Sequence, residues 1–221
     1  MVRRVYGQLR QALGPQYWWP ADSPFEMMVG AILTQATNWH NVERAIGRLQ
    51  RSGTLAPRRL SAMRTARIER AIRPAGYFRQ KAKRLKRFSR WFVERYGGSP
   101  ARMFHTPWQV LRGQLLGLRG IGPETADAML LYGGGQPVCV VDAYTTRLYR
   151  RHGVIGPRPT YDEVQRLTMR ALPAGVRHYN EFHALVVTVG KRFCHRRNPE
   201  CVRCPLRDLP HTVEVDIDGH R

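Results

Sequence analysis

Lysine and acidic residues are scarce in this chain of 221 residues. The only lysines are Lys81, Lys83, Lys86 and Lys191. Few side-chain amines are therefore available for covalent catalysis on a carbonyl carbon. The 16 acidic residues face 37 Lys and Arg, which leaves a formal net charge of +21 at pH 7. A charge of this sign and size favours a polyanionic partner, usually nucleic acid, because binding releases the counterions condensed on phosphates.

Long apolar runs are also missing. No stretch approaches the roughly 20 apolar residues of a membrane-spanning helix, and residues 1–14 lack the apolar run of a secretory signal. A basic protein can also bind a membrane surface, and these absences argue against that alternative. We expect a cytoplasmic, nucleoid-associated protein that acts as a monomer.

The alternating pattern of β-strands is rare, and most of the chain shows helical spacing interrupted by Gly and Pro. The sequence therefore predicts an all-α fold. The predicted helices cover Phe25–Leu33, Asn41–Leu49, Pro57–Ile72, Gln80–Tyr96, Pro107–Leu116, Pro123–Tyr132, Ala143–Arg151, Tyr161–Leu172 and Tyr179–Phe193.

Two of these helices flank the turn Leu118–Gly122 and form a helical hairpin. The glycines Gly120 and Gly122 on either side of Ile121 allow a tight turn whose N–H groups point outward at a helix start. Such a turn binds phosphate. A lone Gly-x-Gly also fits an ordinary interhelical turn, so the surrounding residues must distinguish a phosphate-binding turn from an ordinary one.

The sequence LRGIGPETAD from Leu118 to Asp127 is followed by VVDAYTTRL from Val140 to Leu148. This pair resembles the signature of the endonuclease III-like helix-hairpin-helix DNA glycosylases, L-x-G-[IV]-G-x-x-[TS]-A followed by V-D-[TA]-x-x-x-R. The similarity extends from about Phe25 to Cys204 and looks closest to the bacterial 3-methyladenine glycosylase branch.

The resemblance implies a two-lobed all-α fold with DNA bound between the lobes. Residues 1–24 and 135–221 would form one lobe, with a cysteine loop at 194–211 that is a candidate metal-binding loop. Residues 25–134 would form the other lobe, with the helix-hairpin-helix at 108–132.

The resemblance makes Asp142 the catalytic residue. A carboxylate suits the reaction, because a fixed negative charge stabilises an oxocarbenium-like sugar and orients a water. An aspartate before Ala143–Arg151 also fits a helix N-cap, and the two roles are compatible. Where family members with strand-nicking activity carry a lysine, this chain has Glu124, which predicts a monofunctional enzyme; Lys191 is the substitute nucleophile to consider.

A base-flipping enzyme needs side chains that fill the gap in the duplex. The sequence LTQAT places Gln35 at the family's inserting glutamine, and GYFRQKA places Tyr77 at its wedge position. Packing in the core is the other interpretation of Tyr77. The expected DNA-binding residues are Gly120, Ile121, Gly122, Thr125, Gln35, Tyr77, Arg79 and Lys81.

Tryptophans are the candidates for a base pocket. Trp18, Trp19 and Trp39 could stack on a cationic alkylated base, which is already a good leaving group and needs stacking faces more than a strong general acid. Core packing of at least one of them remains open.

Three cysteines crowd near the C-terminus, but a fourth is missing there. The four cysteines of the chain are Cys139, Cys194, Cys201 and Cys204. The last three match the first ligands of the family's [4Fe–4S] loop, whereas Pro210 stands at its fourth cysteine. His211 could replace that ligand, the cysteines with His195 or His211 could hold zinc, or the site could hold no metal. A metal would be structural, and Cys139 is expected to be a core thiol.

The predicted function is therefore a monofunctional base-excision-repair DNA N-glycosylase acting on double-stranded DNA with a damaged base, such as 3-methyladenine. The alternatives are a pyrimidine or mismatch (uracil or thymine) glycosylase with or without AP lyase activity, a non-catalytic helix-hairpin-helix DNA-binding protein, and an RNA-binding or ribosome-associated protein.

Overall fold

A computed structural model describes residues 1–18 and 21–213, and within these residues it contains helices but no strand. The all-α prediction is confirmed. The α-helices are α1 (Val2–Leu13), α2 (Pro24–Leu33), α3 (Trp39–Arg51), α4 (Pro57–Ala62), α5 (Thr65–Ile72), α6 (Phe78–Tyr96), α7 (Pro100–Phe104), α8 (Trp108–Leu116), α9 (Pro123–Ala128), α10 (Ala143–Arg151), α11 (Tyr161–Ala171) and α12 (Val176–Arg192).

Most helices begin at a residue suited to the N-cap. Ser23 caps α2, and Asp142 and Thr160 form capping boxes at α10 and α11. These side chains satisfy backbone N–H groups that the first turn of a helix leaves unpaired. The predicted helix Ala143–Arg151 has the observed bounds for this reason.

Two of the predicted helices are divided in the structure. Pro57–Ile72 is interrupted at Met63 and Arg64, whose backbone is extended. The Met63 carbonyl, which a continuous helix would pair internally, instead accepts a hydrogen bond from Lys86 Nζ at 2.6 Å. The predicted helix Pro123–Tyr132 ends as α9 at Ala128 and continues as a π-helical turn, Met129–Gly133.

The chain divides into two compact units. Unit 1 comprises Met1–Trp18 and Pro137–Arg221, and unit 2 comprises Trp19–Gln136. In unit 1, α1 packs against α11 and α12. Tyr6 contributes to this core because its ring meets Phe182 edge-on, at 6.1 Å between centroids. Helices from the N-terminal and C-terminal parts of the chain therefore share one core.

Unit 2 is organised around the long helix α6, which packs against α2, α4, α5 and α7. Phe92 lies in its core, stacked on Phe25 and on Phe88 with both centroid distances at 5.8 Å. Basic residues of α6 are exposed, among them Lys83, Arg87 and Arg90. No helix in the described part of the chain combines the length and apolar character needed to cross a bilayer.

Candidate active site and nucleic-acid interface

The helical hairpin of unit 2 is closed by an ion pair between its helices. Arg112 of α8 donates from Nε to Asp127 Oδ1 at 2.7 Å and from a terminal nitrogen to Oδ2 at 3.2 Å. Asp127, on α9, is fully buried, and Ile121 in the turn is only 5% exposed. A bidentate, buried pair fixes the angle between two helices more firmly than a surface pair does.

The turn of the hairpin is pressed against side chains of α6. Gly120 has a φ of +97°, and a Cβ there would lie 2.7 Å from Arg84 Cγ. Arg87 donates to the Arg119 carbonyl at 2.6 Å. Glycine is required at 120 both by the backbone conformation and by the close approach of Arg84.

The start of α9 is exposed at Pro123, which has no N–H, and at Glu124, which has one. Gly122 is exposed and is the N-cap residue, and its side chain position is open, since a Cβ would meet nothing within 4 Å. The first N–H groups of a helix have no intrahelical partner, and they attract anions. This geometry suits a phosphate oxygen, as the Gly-x-Gly pattern predicts.

Gln35 lies against this turn. Its amide nitrogen donates to the Gly120 carbonyl at 3.2 Å and to Thr125 Oγ1 at 2.8 Å, and its amide oxygen accepts a hydrogen bond from Arg84. The structure therefore brings together three residues that the sequence predicts for DNA binding, with Arg84 as an addition that sequence reasoning did not identify.

Lys81 is placed differently from the sequence prediction. It was expected to contact DNA, but its side chain is only 1% exposed, and Nζ donates to the carbonyls of Leu33 (2.9 Å) and Ala75 (2.7 Å). Burial, with a smaller effect of nearby Arg84, lowers the pKa of Lys81 to about 8. Lys81 thus ties together the segments that precede Gln35 and Tyr77.

Tyr77 is 68% exposed and precedes α6 with a left-handed backbone (φ 43°). This exposure argues against the core-packing interpretation. Arg73 and the exposed Arg79 lie over the ring of the neighbouring Phe78, at 5.9 and 5.8 Å from its centroid. The projecting ring of Tyr77 fits the predicted wedge, and the two arginines place positive charge at the next residue.

In unit 1, Asp142 caps α10 with one carboxylate oxygen and keeps the other for a second partner. Oδ1 accepts from Thr145 N at 2.7 Å and from Thr145 Oγ1 at 2.8 Å. Oδ2 lies 3.6 Å from His183 Nε2. Burial raises the pKa of this carboxyl, but the interactions with His183 and Thr145 outweigh it and hold the pKa below its ordinary value.

His183, on α12, is a residue of the site that sequence reasoning missed. Its ring is 5% exposed and stacks on Trp18, with centroids 5.7 Å apart and planes at 10°. Lys191 Nζ lies 5.7 Å from the centroid of the same tryptophan. Asp142, His183 and Trp18 thus form a continuous charged and aromatic cluster within unit 1.

Two further predicted residues, Glu124 and Trp39, lie in unit 2. Glu124 is exposed in the first turn of α9. Trp39, at the start of α3, donates from Nε1 to Glu43 at 2.7 Å and packs near Gly30 within unit 2. Trp19 lies outside the described residues.

The three C-terminal cysteines line one cavity with His211, among apolar residues that include Leu148 and Val189. In the described residues, no three His, Cys, Asp or Glu side chains gather as they would around a single metal ion. A cubane cluster, however, distributes its ligands over four irons. The donor set of thiols and imidazole fits iron–sulfur chemistry. Cys139 is fully buried, as expected of a core thiol.

Comparison with known proteins agrees with these features. Residues 29–174 match the family model of the HhH-GPD superfamily base excision DNA repair proteins. A Methanocaldococcus jannaschii protein with the provisional name DNA repair glycosylase is 41% identical over 95% of both chains. Endonuclease III of Thermotoga maritima is 29% identical over 84% of this chain and 81% of its own.

Solved structures show the same fold. The Helicobacter pylori 3-methyladenine DNA glycosylase bound to 1,N6-ethenoadenine aligns with a TM-score of 0.74 and 25% identity, over 86% of this chain and 95% of that one. An endonuclease III–DNA covalent intermediate aligns with a TM-score of 0.82 and 22% identity, over 94% of this chain and 93% of that one.

Proposed function

Since the chain belongs to the HhH-GPD superfamily of base excision DNA repair proteins, we propose that this DNA glycosylase is monofunctional and releases an alkylated purine such as 3-methyladenine. The observation that carries the proposal is the Asp142 carboxylate, buried beside the His183–Trp18 stack with a lowered pKa. At neutral pH this carboxylate is ionised.

In the proposed reaction, Asp142 acts on the sugar. The bond between the sugar carbon and the base nitrogen breaks, and its electron pair leaves with the base. The negative charge of Asp142 stabilises the cationic sugar, and a water adds to the carbon and gives up its proton. We assign the water proton to Oδ2, which faces His183 at 3.6 Å, because Oδ1 already accepts two hydrogen bonds from Thr145.

The substrate assignment is supported by the aromatic surroundings. A purine alkylated at N3 carries a positive charge and departs as a neutral base, so stacking is more useful than a general acid. Trp18 offers a half-buried ring next to the carboxylate's histidine. The similar H. pylori protein is described as a 3-methyladenine glycosylase and was solved with an ethenoadenine.

The monofunctional assignment is supported by Glu124. A carboxylate cannot form the Schiff base through which a lyase nicks the strand. We assign phosphate binding to the hairpin turn at Gly120–Gly122 with Thr125, and filling of the vacated base position to Gln35 and Tyr77.

The decisive experiment uses end-labelled duplexes that each carry one lesion: a 3-methyladenine analogue, uracil, a G·T mismatch or thymine glycol. We expect strand breaks only after alkali, and in the alkylated-purine duplex. Asp142→Asn should reduce base release by about 10²-fold or more while duplex binding is kept, because asparagine preserves the N-cap of α10.

A matched control is Thr160→Ala, which removes the capping box of α11 in the same unit. It should lose about 1 kcal/mol of stability and keep its activity. Breaks before alkali, trapped by borohydride, would contradict monofunctional action and direct attention to Lys191. Release of a pyrimidine instead would overturn the substrate assignment, and no release from any duplex would favour a DNA-binding module.

A further inference from the structure

Two histidines share the cavity of the three C-terminal cysteines. His152 and His211 both line it, with ring centroids 5.7 Å apart. His152 Nδ1 lies 2.9 Å from the Pro210 carbonyl oxygen, and His211 Nδ1 lies 2.8 Å from that of Leu209. Because a carbonyl only accepts, both Nδ1 atoms carry a proton, and Nε2 of each neutral ring keeps its lone pair. Metal-binding imidazoles are oriented in this way.

The backbone on both sides of His211 is held against the end of α10. The hydrogen bond from His152 fixes the Pro210 carbonyl, and Thr212 N donates to the Arg151 carbonyl at 2.8 Å. His152 therefore has a positioning task, whereas His211 is the residue being positioned. His195, the other histidine considered from sequence, lies 3.5 Å from Glu200 and does not line the cavity.

Arg151 places a buried cation beside the cysteines. Its side chain is 3% exposed and donates to Cys194 Sγ at 3.1 Å and to the His195 carbonyl at 2.8 Å. Its Nε is buried and has no hydrogen-bond partner within the described residues. A buried guanidinium with an unused donor calls for an anionic acceptor, because an unpaired buried charge is costly.

We propose that His211 Nε2 is the fourth ligand of a [4Fe–4S] cluster held by Cys194, Cys201 and Cys204, with Arg151 as its buried counter-cation. Imidazole in place of a thiolate leaves the cluster with one negative charge fewer. Both the lost charge and the hydrogen bond to sulfur raise the reduction potential of the cluster.

The test uses the full chain, purified anaerobically and reconstituted with iron and sulfide after labelling of histidine with ¹⁵N. Pulsed EPR of the reduced protein should show one strongly coupled histidine nitrogen. His211→Cys should keep the iron and sulfide content, lose the nitrogen coupling and lower the reduction potential. His211→Ala should lose iron faster in the presence of a chelator.

His152→Ala is the matched control, since it removes an imidazole from the same cavity wall but leaves the proposed ligand. It should retain the nitrogen coupling. Coupling that persists in His211→Cys, or disappears in His152→Ala, would overturn the assignment of His211. Zinc bound in preference to iron, or no metal uptake by a protein that circular dichroism shows to be folded, would overturn the cluster itself. None of these measurements depends on glycosylase activity.

Discussion

At the residue scale, burial and hydrogen bonding have opposite effects on the pKa of Asp142. Burial disfavours its charge, while His183 and the two donors of Thr145 favour it, and the balance lowers the pKa of the carboxyl. A lowered pKa means that the ionised form contributes stability above the pKa of the unfolded chain. That contribution is lost as the pH falls through the folded-state pKa.

His183→Phe tests this balance, because phenylalanine can keep the stack on Trp18 but offers no nitrogen to Asp142. Burial then dominates, and the pKa of Asp142 should rise. We expect the acid limb of base release to move to higher pH, measured as single-turnover rates across a pH series. Stability at mildly acidic pH should fall as well, since Asp142 becomes protonated earlier during acidification.

The matched control is His178→Phe, a second histidine of α12 that hydrogen-bonds Tyr6 at 3.2 Å instead of the carboxylate. The acid limb of base release by His178→Phe should lie at the same pH as in the native protein. A His183→Phe enzyme with an unshifted acid limb would show that His183 does not hold the charge of Asp142.

The residues of the site differ in how well the sequence predicts them. Asp142 is predicted because a local pattern contains it, whereas His183 sits within α12 among apolar residues and has no local signature. The prediction that Lys81 contacts DNA does not hold, because the side chain is buried. The helical periodicity of the sequence does not distinguish this buried lysine from the exposed Lys83. Contacts between distant segments decide both cases.

At the scale of elements, α6 controls the turn of the hairpin. Arg84 contacts Gly120 and hydrogen-bonds Gln35, so α6 helps to position both the turn proposed to bind phosphate and the glutamine proposed to enter the duplex. We expect a substitution of Arg84 to displace both segments. The affinity for DNA should therefore depend on side chains that face the hairpin from another helix.

Gly120→Ala should weaken duplex binding and destabilise the protein by about 1–2 kcal/mol, the cost of a left-handed conformation for an L-residue, with further loss from the clash with Arg84. The double variant Gly120→Ala/Arg84→Ala should remove the clash and recover part of the stability. Fluorescence anisotropy on an abasic-site duplex and thermal unfolding measure the two effects.

Gly113→Ala on α8 is a suitable control, because a Cβ there meets nothing within 4 Å. Alanine in a helix interior should stabilise it by about 0.5–1 kcal/mol. If Gly120→Ala behaved like Gly113→Ala in both assays, the tight turn would have no part in binding.

The observed helix bounds agree with the predicted ones where an N-cap residue defines the start, and they differ where tertiary contacts replace helical hydrogen bonds. The bounds of α10 were predicted from the N-cap Asp142 and the following helical pattern. The interruption at Met63 was not predicted, because the hydrogen bond to Lys86 that replaces the helical one comes from a distant residue. Helix α1 has an apolar face of Val5 and Leu9 that is clear only once its partner α12 is known.

For the whole molecule, we expect the net charge of +21 to dominate association with DNA. We expect the logarithm of the affinity for undamaged duplex to fall linearly with the logarithm of the salt concentration. A protein with roughly 6–10 phosphate contacts loses about 10³–10⁵ in affinity between roughly 50 and 200 mM salt. Titrations at several salt concentrations measure the slope.

Undamaged and damaged duplexes should share this slope, because both offer the same phosphates and differ only at one base. Gln35→Ala should lower affinity for an abasic-site duplex at every salt concentration and leave the slope as it was. A slope near zero would mean that the arginines of the chain do not meet the phosphate backbone.

The division of the chain into units also determines the order in which it can fold during synthesis. Unit 2 is continuous in sequence, so a ribosome delivers all of it before residue 137. Helix α1 is synthesised first, but its packing partners α11 and α12 are synthesised last. Its apolar face therefore stays exposed until they are available. The hairpin proposed to bind DNA is thus synthesised before Asp142, the proposed catalytic carboxylate, and limited proteolysis of stalled nascent chains should reveal unit 2 as the earlier protected fragment.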